Sequence, residues 1–250
     1  TQSLAWSMTS NEADLQDVVR IKAANVDRRI TQTVSVKDGT PRDITLMFSK
    51  AAPVIAGTVL EGTGDDGIAL MATALSVDDT SPDALAGLNS ARTIDEGIDA
   101  LARFRAPLMN VFLADSYGGI ASVHAGDVPR RDGYSGRLPL QPGDVRWRAV
   151  NAANRLSALR NPPGGIVSNA NERTAGLDDL GFPLDGDWPA PVRGDRLAQL
   201  LEAPKKFSMD DFQAMQGDVV DITAAAWRPI LQGLTLGGAA YKAREKLLAW

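Results

Sequence analysis

The stretch Gly164-Gly165-Ile166-Val167-Ser168-Asn169-Ala170-Asn171-Glu172-Arg173 turns a short apolar run into amide-rich polar sequence just after a Pro-Gly turn. An asparagine at the end of a strand can aim its side-chain N–H at a reacting oxygen. Asparagine after a strand is also a common turn former that tolerates positive φ. The rest of the chain decides between these two interpretations of Asn169.

The composition is that of an ordinary globular protein. Of the 250 residues, 44% are hydrophobic and 23% are charged, which is enough apolar side chain for one large core or a core with satellites. No window approaches the roughly 18 uninterrupted apolar residues of a membrane span. The net charge is −5 and the basic residues are scattered without interleaved aromatic residues. We therefore expect neither a membrane nor a nucleic acid as partner.

The counts of cysteine and histidine narrow the possible chemistry. Zero cysteines exclude thiol nucleophiles, disulfides and thiolate metal sites in this chain. A Ser-His-Asp triad would have to use His124, the single histidine. His124 ends an alternating apolar and polar run that is typical of a strand, so we predict a plain structural role for it. If the protein is a hydrolase, its base is unconventional.

Short apolar runs predict strands at residues 4–8 and 18–22, joined by a polar loop that carries carboxylates. Residues 29–58 are predicted to form a small β knob with a hairpin at Asp38-Gly39. Residues 68–75 are apolar enough to return to the main sheet.

Helix start signals follow. Ser81-Pro82-Asp83 places a proline just inside a helix, and Thr93 with Glu96 forms a capping box before a second, amphipathic helix. Residues 109–124 are predicted as a hairpin with a Gly-containing loop, and residues 126–146 as a Gly/Pro-rich loop.

The C-terminal fifth of the chain is predicted to be helical. Helical patterns cover residues 195–202, 224–234 and 239–250, and Ser208 is placed to cap a further helix between them.

Several separate segments, spread over nearly the whole chain, match one family pattern in their order and spacing. They are Leu4-Ala5-Trp6-Ser7-Met8-Thr9 with Asp14 and Asp17, Asn110 with Ala114-Asp115 and Gly119-Ile120, Gly126-Asp127-Val128-Pro129-Arg130-Arg131, residues 136–142, Asn161-Pro162-Pro163-Gly164-Gly165-Ile166 through Asn171, Asp187-Trp188 with Arg193, and Gln216-Gly217-Asp218. By these segments the chain resembles an internal part of the β subunit of the penicillin acylase family, within the N-terminal nucleophile hydrolases.

The resemblance implies an α+β fold with a four-layer α-β-β-α core, a small β knob and a C-terminal helical segment. It implies that residues 1–17 and 59–207 form the N-terminal nucleophile hydrolase core. Residues 18–58 would then be the small β subdomain, and residues 208–250 the start of a helical domain.

The activity implied by the resemblance is that of an amide hydrolase, an acylase that removes the acyl group of an acylated amine such as a β-lactam antibiotic or an acyl-homoserine lactone. The family's nucleophile is the first residue of its own β subunit, a serine, and the base is the serine's α-amine. An α-amine titrates at a pH of about 7.7 to 8.0, so no histidine is needed.

In the family, the segment matching residues 4–6 lies well inside the β subunit. We therefore expect the serine on a segment that precedes Thr1, and we expect the α subunit and the remainder of the β subunit of the same precursor as partners. Thr1 as the nucleophile is the less favoured alternative. The family implies a periplasmic or secreted location. A function of a different class, a noncatalytic fragment or relative that acts as a binding or assembly module, stays open.

Three residues match the family's catalytic positions. Asn169 matches the oxyanion asparagine, Ser10 matches the position whose backbone N–H completes the oxyanion hole, and Arg193 matches an arginine near the reactive amine. The alternatives are a turn-forming asparagine, a loop serine and a salt-bridged arginine before a helix. Asn171 would be the amide donor if the register slips.

The resemblance also implies a structural calcium site. Hard oxygen ligands from separated loops suit Ca²⁺. The matching ligands are the carboxylates of Asp14 and Asp17, the backbone carbonyls of Gln16 and Pro129, and a remote carboxylate, Asp187, with Asp185 as the alternative. A solvated acidic turn is the competing interpretation.

Overall fold

The computed structural model describes residues 2–50, 52–75, 78–202 and 206–249. The chain divides into two compact units, Thr1–Pro189 and Ala190–Trp250, which we call the N-terminal and C-terminal units. The described strands all lie in the N-terminal unit, whereas the described part of the C-terminal unit is helical. This combination confirms the α+β class. Thr1, proposed above as an alternative nucleophile, lies outside the described residues.

The described part of the N-terminal unit contains the strands and three α-helices, besides short 3-10 helices. Their bounds are β1 (Leu4–Ser10), β2 (Gln16–Lys22), β3 (Arg28–Val34), β4 (Arg42–Ser49), β5 (Ala52–Ala56), α1 (Thr58–Glu61), β6 (Asp66–Ala72), α2 (Ser81–Ser90), α3 (Ile94–Leu101), β7 (Met109–Asp115), β8 (Ile120–Ala125), β9 (Asp127–Arg131), β10 (Trp147–Asn151) and β11 (Leu159–Arg160). The strands form a four-stranded sheet in the order β1-β7-β8-β11, a two-stranded ribbon β10-β9, and a five-stranded sheet in the order β2-β6-β5-β4-β3.

Helices α2 and α3 pack together against the four-stranded sheet and bury its apolar face. Leu88 and Leu101 of the helices and Leu4, Val111 and Leu113 of the strands belong to one buried cluster. Alternation along β7 places Val111 and Leu113 on this face and leaves Asn110 and Phe112 for the other. The sheet therefore has one apolar face under helices and a second face free to carry polar groups.

The predicted helix starts are confirmed. Pro82 lies in the first turn of α2, and the Thr93 hydroxyl accepts the N–H of Glu96 at 3.2 Å at the start of α3. The Glu96 carboxylate accepts the N–H of Arg92 at 2.8 Å instead of completing the capping box. The Asp115 carboxylate accepts the N–H of Ile94 at 3.0 Å, which ties the turn of the β7–β8 hairpin to the start of α3.

The β knob contains the predicted hairpin, but the strand that follows does not return to the first sheet. β3 pairs with β4, and Asp38 between them has a φ of 58°. Residues 66–72 form β6, which pairs with β2 and β5 in the five-stranded sheet and not with β1. The reason is apolar packing, since Ala69 of β6 is buried in one cluster with Val19 and Val54. The proposed division into core, subdomain and helical domain stays a prediction.

The prediction of a loop over residues 126–146 is wrong at its start. Residues 127–131 form β9, which pairs with β10 through Val128 and Val150. Val128 is buried in a second core cluster with Leu177 and Leu180, and this burial explains why a strand forms in a Gly/Pro-rich sequence. A proline is tolerated at position 129 because each strand of a two-stranded ribbon has one unpaired side.

The C-terminal unit consists of α4 (Val192–Leu201), α5 (Met209–Gln216), α6 (Ala224–Gly233) and α7 (Gly238–Ala249). The predicted cap of α5 is confirmed, because Ser208 and Asp211 exchange hydrogen bonds as a full capping box. Helix α4 begins at Val192, before the predicted residue 195, so Arg193 lies inside the helix. Across the described helices, none combines the length and apolar character needed to cross a bilayer.

The fold predicts opposite outcomes for two glycines that both have positive φ. An added Cβ at Gly126 (φ 130°) would lie 2.7 Å from the Cα of Leu108, whereas at Gly133 (φ 92°) it would meet nothing within 4 Å. We expect Gly126→Ala to lower the free energy of unfolding by about 3 kcal/mol, from strain and overlap together. Gly133→Ala should cost about 1 kcal/mol from strain alone. Equal losses in urea unfolding would contradict the close approach at Gly126.

Candidate active site

Asn169 lies in irregular chain and not at the end of a strand, so the strand expected before it is absent from this described segment. Its side chain is nevertheless fixed, with the residue 9% exposed. The Oδ1 atom accepts the backbone N–H of Asn171 at 2.9 Å, the Nδ2 of Asn110 at 2.9 Å and the hydroxyl of Thr9 at 3.2 Å. Hydrogen bonds therefore replace a strand in positioning this side chain.

The orientation of the Asn169 amide follows from two backbone groups. A backbone N–H can only donate, so the side-chain atom facing Asn171 N is the oxygen. The Nδ2 atom donates to the backbone carbonyl of Glu172 at 2.9 Å, and a carbonyl can only accept. One of the two Nδ2 hydrogens is thereby used, and the other has no partner among the described residues. Asn169 thus makes the predicted turn with its oxygen and keeps an N–H available.

Ser10 is the last residue of β1, and the strand register gives the direction of its N–H. Ser116 N donates to Ser3 O at 2.8 Å and Asn11 N donates to Leu108 O at 3.4 Å, at either end of the β1–β7 ladder. Bonded and non-bonded pairs alternate along such a ladder, so Ser10, opposite Met109, is a non-bonded position. Its N–H points away from β7, toward the side of β1 that has no partner strand in the described sheet.

Asn169 and Ser10 are brought together at the end of β1. Asn171 Nδ2 donates to the carbonyl of Ser10 at 2.8 Å, and the neighbouring Thr9 contacts Asn169 directly. Asn171 has a φ of 72° and is less buried than Asn169. The two asparagines have different tasks, since Asn171 fastens the loop to Ser10 while Asn169 is the more enclosed amide.

A row of polar side chains crosses the face of the four-stranded sheet that the helices leave free. The register sets Thr9 opposite Asn110 and Asn110 opposite His124. Asn110 is 1% exposed, and its Oδ1 accepts from Asn11 Nδ2 at 2.7 Å. Asn110 has no role among the residues predicted from the sequence, although a polar residue within the apolar run of β7 is a readable signal of a buried hydrogen-bonded group.

His124 belongs to this row through both ring nitrogens. Nδ1 lies 3.0 Å from Asn110 Oδ1 and Nε2 lies 3.0 Å from the hydroxyl of Thr174. Burial lowers the pKa of His124, which favours the neutral ring. With both nitrogens engaged, the ring is not placed as a free general base, in agreement with the expectation that a hydrolase of this sequence needs another one.

The residues predicted to bind calcium surround a guanidinium group. Arg131 Nε lies 3.1 and 3.0 Å from the two carboxylate oxygens of Asp17, and its Nη2 lies 3.2 Å from Asp14 Oδ2. The same Nη2 donates to the backbone carbonyls of Asp14 and Gln16 at 3.2 and 3.3 Å. The side chains of Arg131 and Asp17 are 4% and 0% exposed. The oxygens of this loop are therefore directed at a cation that the chain itself supplies.

The remote ligand is less well defined. Asp14 N donates to the backbone carbonyl of Asp185 at 2.8 Å. The pKa of the Asp14 carboxyl is raised, mainly by burial and also by the nearby negative charges of Asp17 and Asp185. Asp187 contacts this loop through its backbone N–H, which donates to Glu12 O at 3.2 Å. Among the described side chains, no group of three or more acids and histidines could hold a metal ion. As arranged, the carboxylates of Asp14 and Asp17 are paired with Arg131, and the calcium site, with the roles of Pro129 and Asp187, stays a prediction.

Arg193 lies in the C-terminal unit, in the first turn of α4. Together with Arg196, Leu200 and Asp218 it lines a cavity within that unit. The neighbouring Arg196 makes a two-pronged ion pair with Asp218, with distances of 2.9 and 2.8 Å. The expected proximity of Arg193 to a reactive amine stays a prediction.

Comparison with known proteins gives a consistent result. The model of the family described as penicillin amidase matches residues 1–250. The chain is 28% identical over 221 residues to penicillin acylase 2 proenzyme from Pseudomonas sp. (strain SE83), a match that covers 87% of this chain and 28% of that protein. It is 28% identical over 247 residues to the acyl-homoserine lactone acylase QuiP of Pseudomonas fluorescens (strain Pf0-1), covering 92% of this chain and 30% of that protein.

Among solved structures, the thermostable penicillin G acylase from Alcaligenes faecalis superposes with a TM-score of 0.74 at 20% sequence identity. The match covers 99% of this chain and 48% of that one, and it shows that the chain has the N-terminal nucleophile hydrolase fold. The chain spans less than a third of the length of the two curated relatives and about half of the solved chain.

The cluster around Arg131 predicts a specific pattern of stability. Replacing the arginine in Arg131→Met leaves the Asp17 carboxylate buried without a counterion, which should cost about 3 to 5 kcal/mol in the free energy of unfolding. The double variant Arg131→Met with Asp17→Asn removes both charges and should recover most of that loss. Urea unfolding of the three proteins measures both effects. A single variant as stable as the parent protein would contradict the ion pair.

Proposed function

The chain belongs to the penicillin amidase family, and from that premise we propose that the protein containing it is an acylase that hydrolyses the amide bond of an acylated amine. The observation that carries the proposal is the Asn169 amide, which is fixed by backbone groups, keeps one N–H without a partner among the described residues, and lies beside the end of β1. Such a donor is suited to an oxygen that gains negative charge during acyl transfer.

The proposed oxyanion hole consists of the Nδ2–H of Asn169 and the backbone N–H of Ser10. When a nucleophile attacks the amide carbonyl of the substrate, the carbonyl oxygen becomes negatively charged, and donors that are already oriented stabilise it without reorganising. Because the Ser10 donor is a backbone group, the side chain at position 10 is free to vary. Support comes from the register of β1, in which the N–H of Ser10 faces away from β7.

We propose that the attacking group lies on another segment of the protein. Within the described network His124 is engaged at both nitrogens, so a separate nucleophile and base are required. An N-terminal serine whose α-amine takes the hydroxyl proton meets this need. The serine oxygen bonds to the acyl carbon, the C–N bond of the substrate breaks, and the protonated α-amine gives its proton to the leaving amine of the substrate. Water releases the acyl group in a second step. Trp6 and Met8 present backbone groups on the outer side of β1, where a strand carrying that serine could pair, while the N–H of Ser10 is left for the oxyanion.

The names of the two relatives support a proposed substrate class. One is named a penicillin acylase and the other an acyl-homoserine lactone acylase, and both names describe removal of an acyl group. We propose an acylated amine of one of these kinds as the substrate. By the same family relationship we propose an α subunit and further β-subunit sequence from one precursor as partners, and a periplasmic or secreted location.

Replacing Asn169 tests the proposed function. In the complete enzyme, Asn169→Ala should lower kcat/KM for amide hydrolysis on the order of 100-fold or more, because one oxyanion donor is lost. The matched control is Asn171→Gly, which removes the neighbouring amide and suits the positive φ at that position, and it should change kcat/KM less than about 10-fold. A change below twofold for Asn169→Ala would show that the oxyanion assignment is wrong. If the complete protein has no N-terminal serine and no amidase activity, the alternative function as a binding or assembly module is favoured.

Structural calcium is a separate proposal, supported by the oxygen-rich loop and opposed by the position of Arg131. If calcium binds in the complete enzyme, metal analysis should detect it, and a chelator should lower the melting temperature on the order of 5 °C because a ligand of the folded state is removed. Restoring calcium, but not magnesium, should reverse the shift. Absence of bound calcium together with an unchanged melting temperature would leave Arg131 as the cation of this loop.

A further inference from the structure

The polar row on the four-stranded sheet connects His124 to the proposed oxyanion donor. From His124 Nδ1 to Asn110 Oδ1 is 3.0 Å, and from Asn110 Nδ2 to Asn169 Oδ1 is 2.9 Å. Thr9, Asn110 and His124 occupy opposed positions on three neighbouring strands, so the row is part of the sheet and not of a mobile loop. Two hydrogen bonds thus lead from the ring to the amide.

The backbone N–H of Asn171 fixes the direction of each hydrogen bond in the row, one after the other. Asn169 presents its oxygen to Asn110, because the backbone N–H of Asn171 fixes the oxygen on that side. Asn110 must therefore present its Nδ2 to Asn169, and its Oδ1 is turned toward Asn11 and His124. An amide oxygen can only accept, so His124 carries a hydrogen on Nδ1.

The other side of the ring is consistent with this tautomer. In the neutral ring Nε2 is then an acceptor, and the Thr174 hydroxyl at 3.0 Å is able to donate to it. Thr174 occupies the N-cap position of the 3-10 helix Ala175–Leu180, but its side chain makes no cap hydrogen bond there. The hydroxyl therefore hydrogen-bonds to His124 and does not cap the helix.

We propose that His124 is a positioning residue for catalysis, which holds the Asn110 amide in the one orientation that keeps the Nδ2–H of Asn169 directed at the oxyanion. This inference rests on the proposed function. If Asn110 rotated by half a turn, its Oδ1 would face the Oδ1 of Asn169, and two acceptors would repel each other. The hydrogen bond from His124 opposes that rotation by giving the Asn110 oxygen a second donor besides Asn11.

A residue that acts through Asn169 has no effect once Asn169 is gone, and a double-mutant cycle in the complete enzyme measures this. His124→Phe keeps a ring but removes the donor, and we expect kcat to fall on the order of 10-fold to 100-fold with KM changed less than about twofold, since a misaligned catalytic group costs rate. His124→Asn can place an amide N–H near the position of Nδ1 and should restore kcat to within about threefold of the parent enzyme. Ser122→Ala, on the same strand, is the control and should leave kcat unchanged.

In the Asn169→Ala background, the same His124→Phe change should alter kcat less than about twofold. An undiminished loss in that background would overturn the positioning role while leaving the oxyanion assignment intact. A loss below twofold from Asn169→Ala alone would instead overturn the proposed function, and the inference with it. If His124→Phe does not fold, nitrogen NMR of the histidine-labelled enzyme, assigned with His124→Asn, decides the matter. Hydrogen on Nδ1 supports the proposal, and hydrogen on Nε2 alone overturns it.

Discussion

Three hydrogen bonds that converge on the side-chain oxygen of Asn169 are the constraint on which the site depends. One comes from the backbone of the loop itself, and two come from Thr9 and Asn110 on adjacent strands. Together they hold an amide that lies in irregular chain in one orientation. The cost of leaving such buried donors and acceptors unpaired explains why the arrangement holds one orientation.

The two faces of the four-stranded sheet have different tasks. The face under α2 and α3 is apolar and supplies the core, whereas the opposite face carries the row of Thr9, Asn110 and His124. Stability and proposed catalysis are thus assigned to alternate residues of the same strands. At the loop that follows β1, Arg131 neutralises the buried carboxylate of Asp17 and holds the backbone through the carbonyl of Gln16.

Local signals in the sequence predicted local structure well. Pro82, Thr93 and Ser208 marked helix starts because capping is decided by a few neighbouring residues. The strand at 127–131 was missed because burial of Val128 against distant leucines outweighs its Gly/Pro-rich surroundings. Asn169 and Ser10 were placed by resemblance, and their proximity could not be read from periodicity, since it depends on contacts about 160 residues apart.

The central claim is that the Asn169 amide and the Ser10 N–H face one common oxygen. The most direct measurement is a crystal structure of the complete enzyme with a phosphonate or boronate that mimics the tetrahedral intermediate bound to its nucleophile. The account predicts an oxygen of that adduct roughly 2.7 to 3.1 Å from both Asn169 Nδ2 and Ser10 N. An adduct whose oxygens contact neither nitrogen, with the Asn169 side chain oriented as described here, would contradict it.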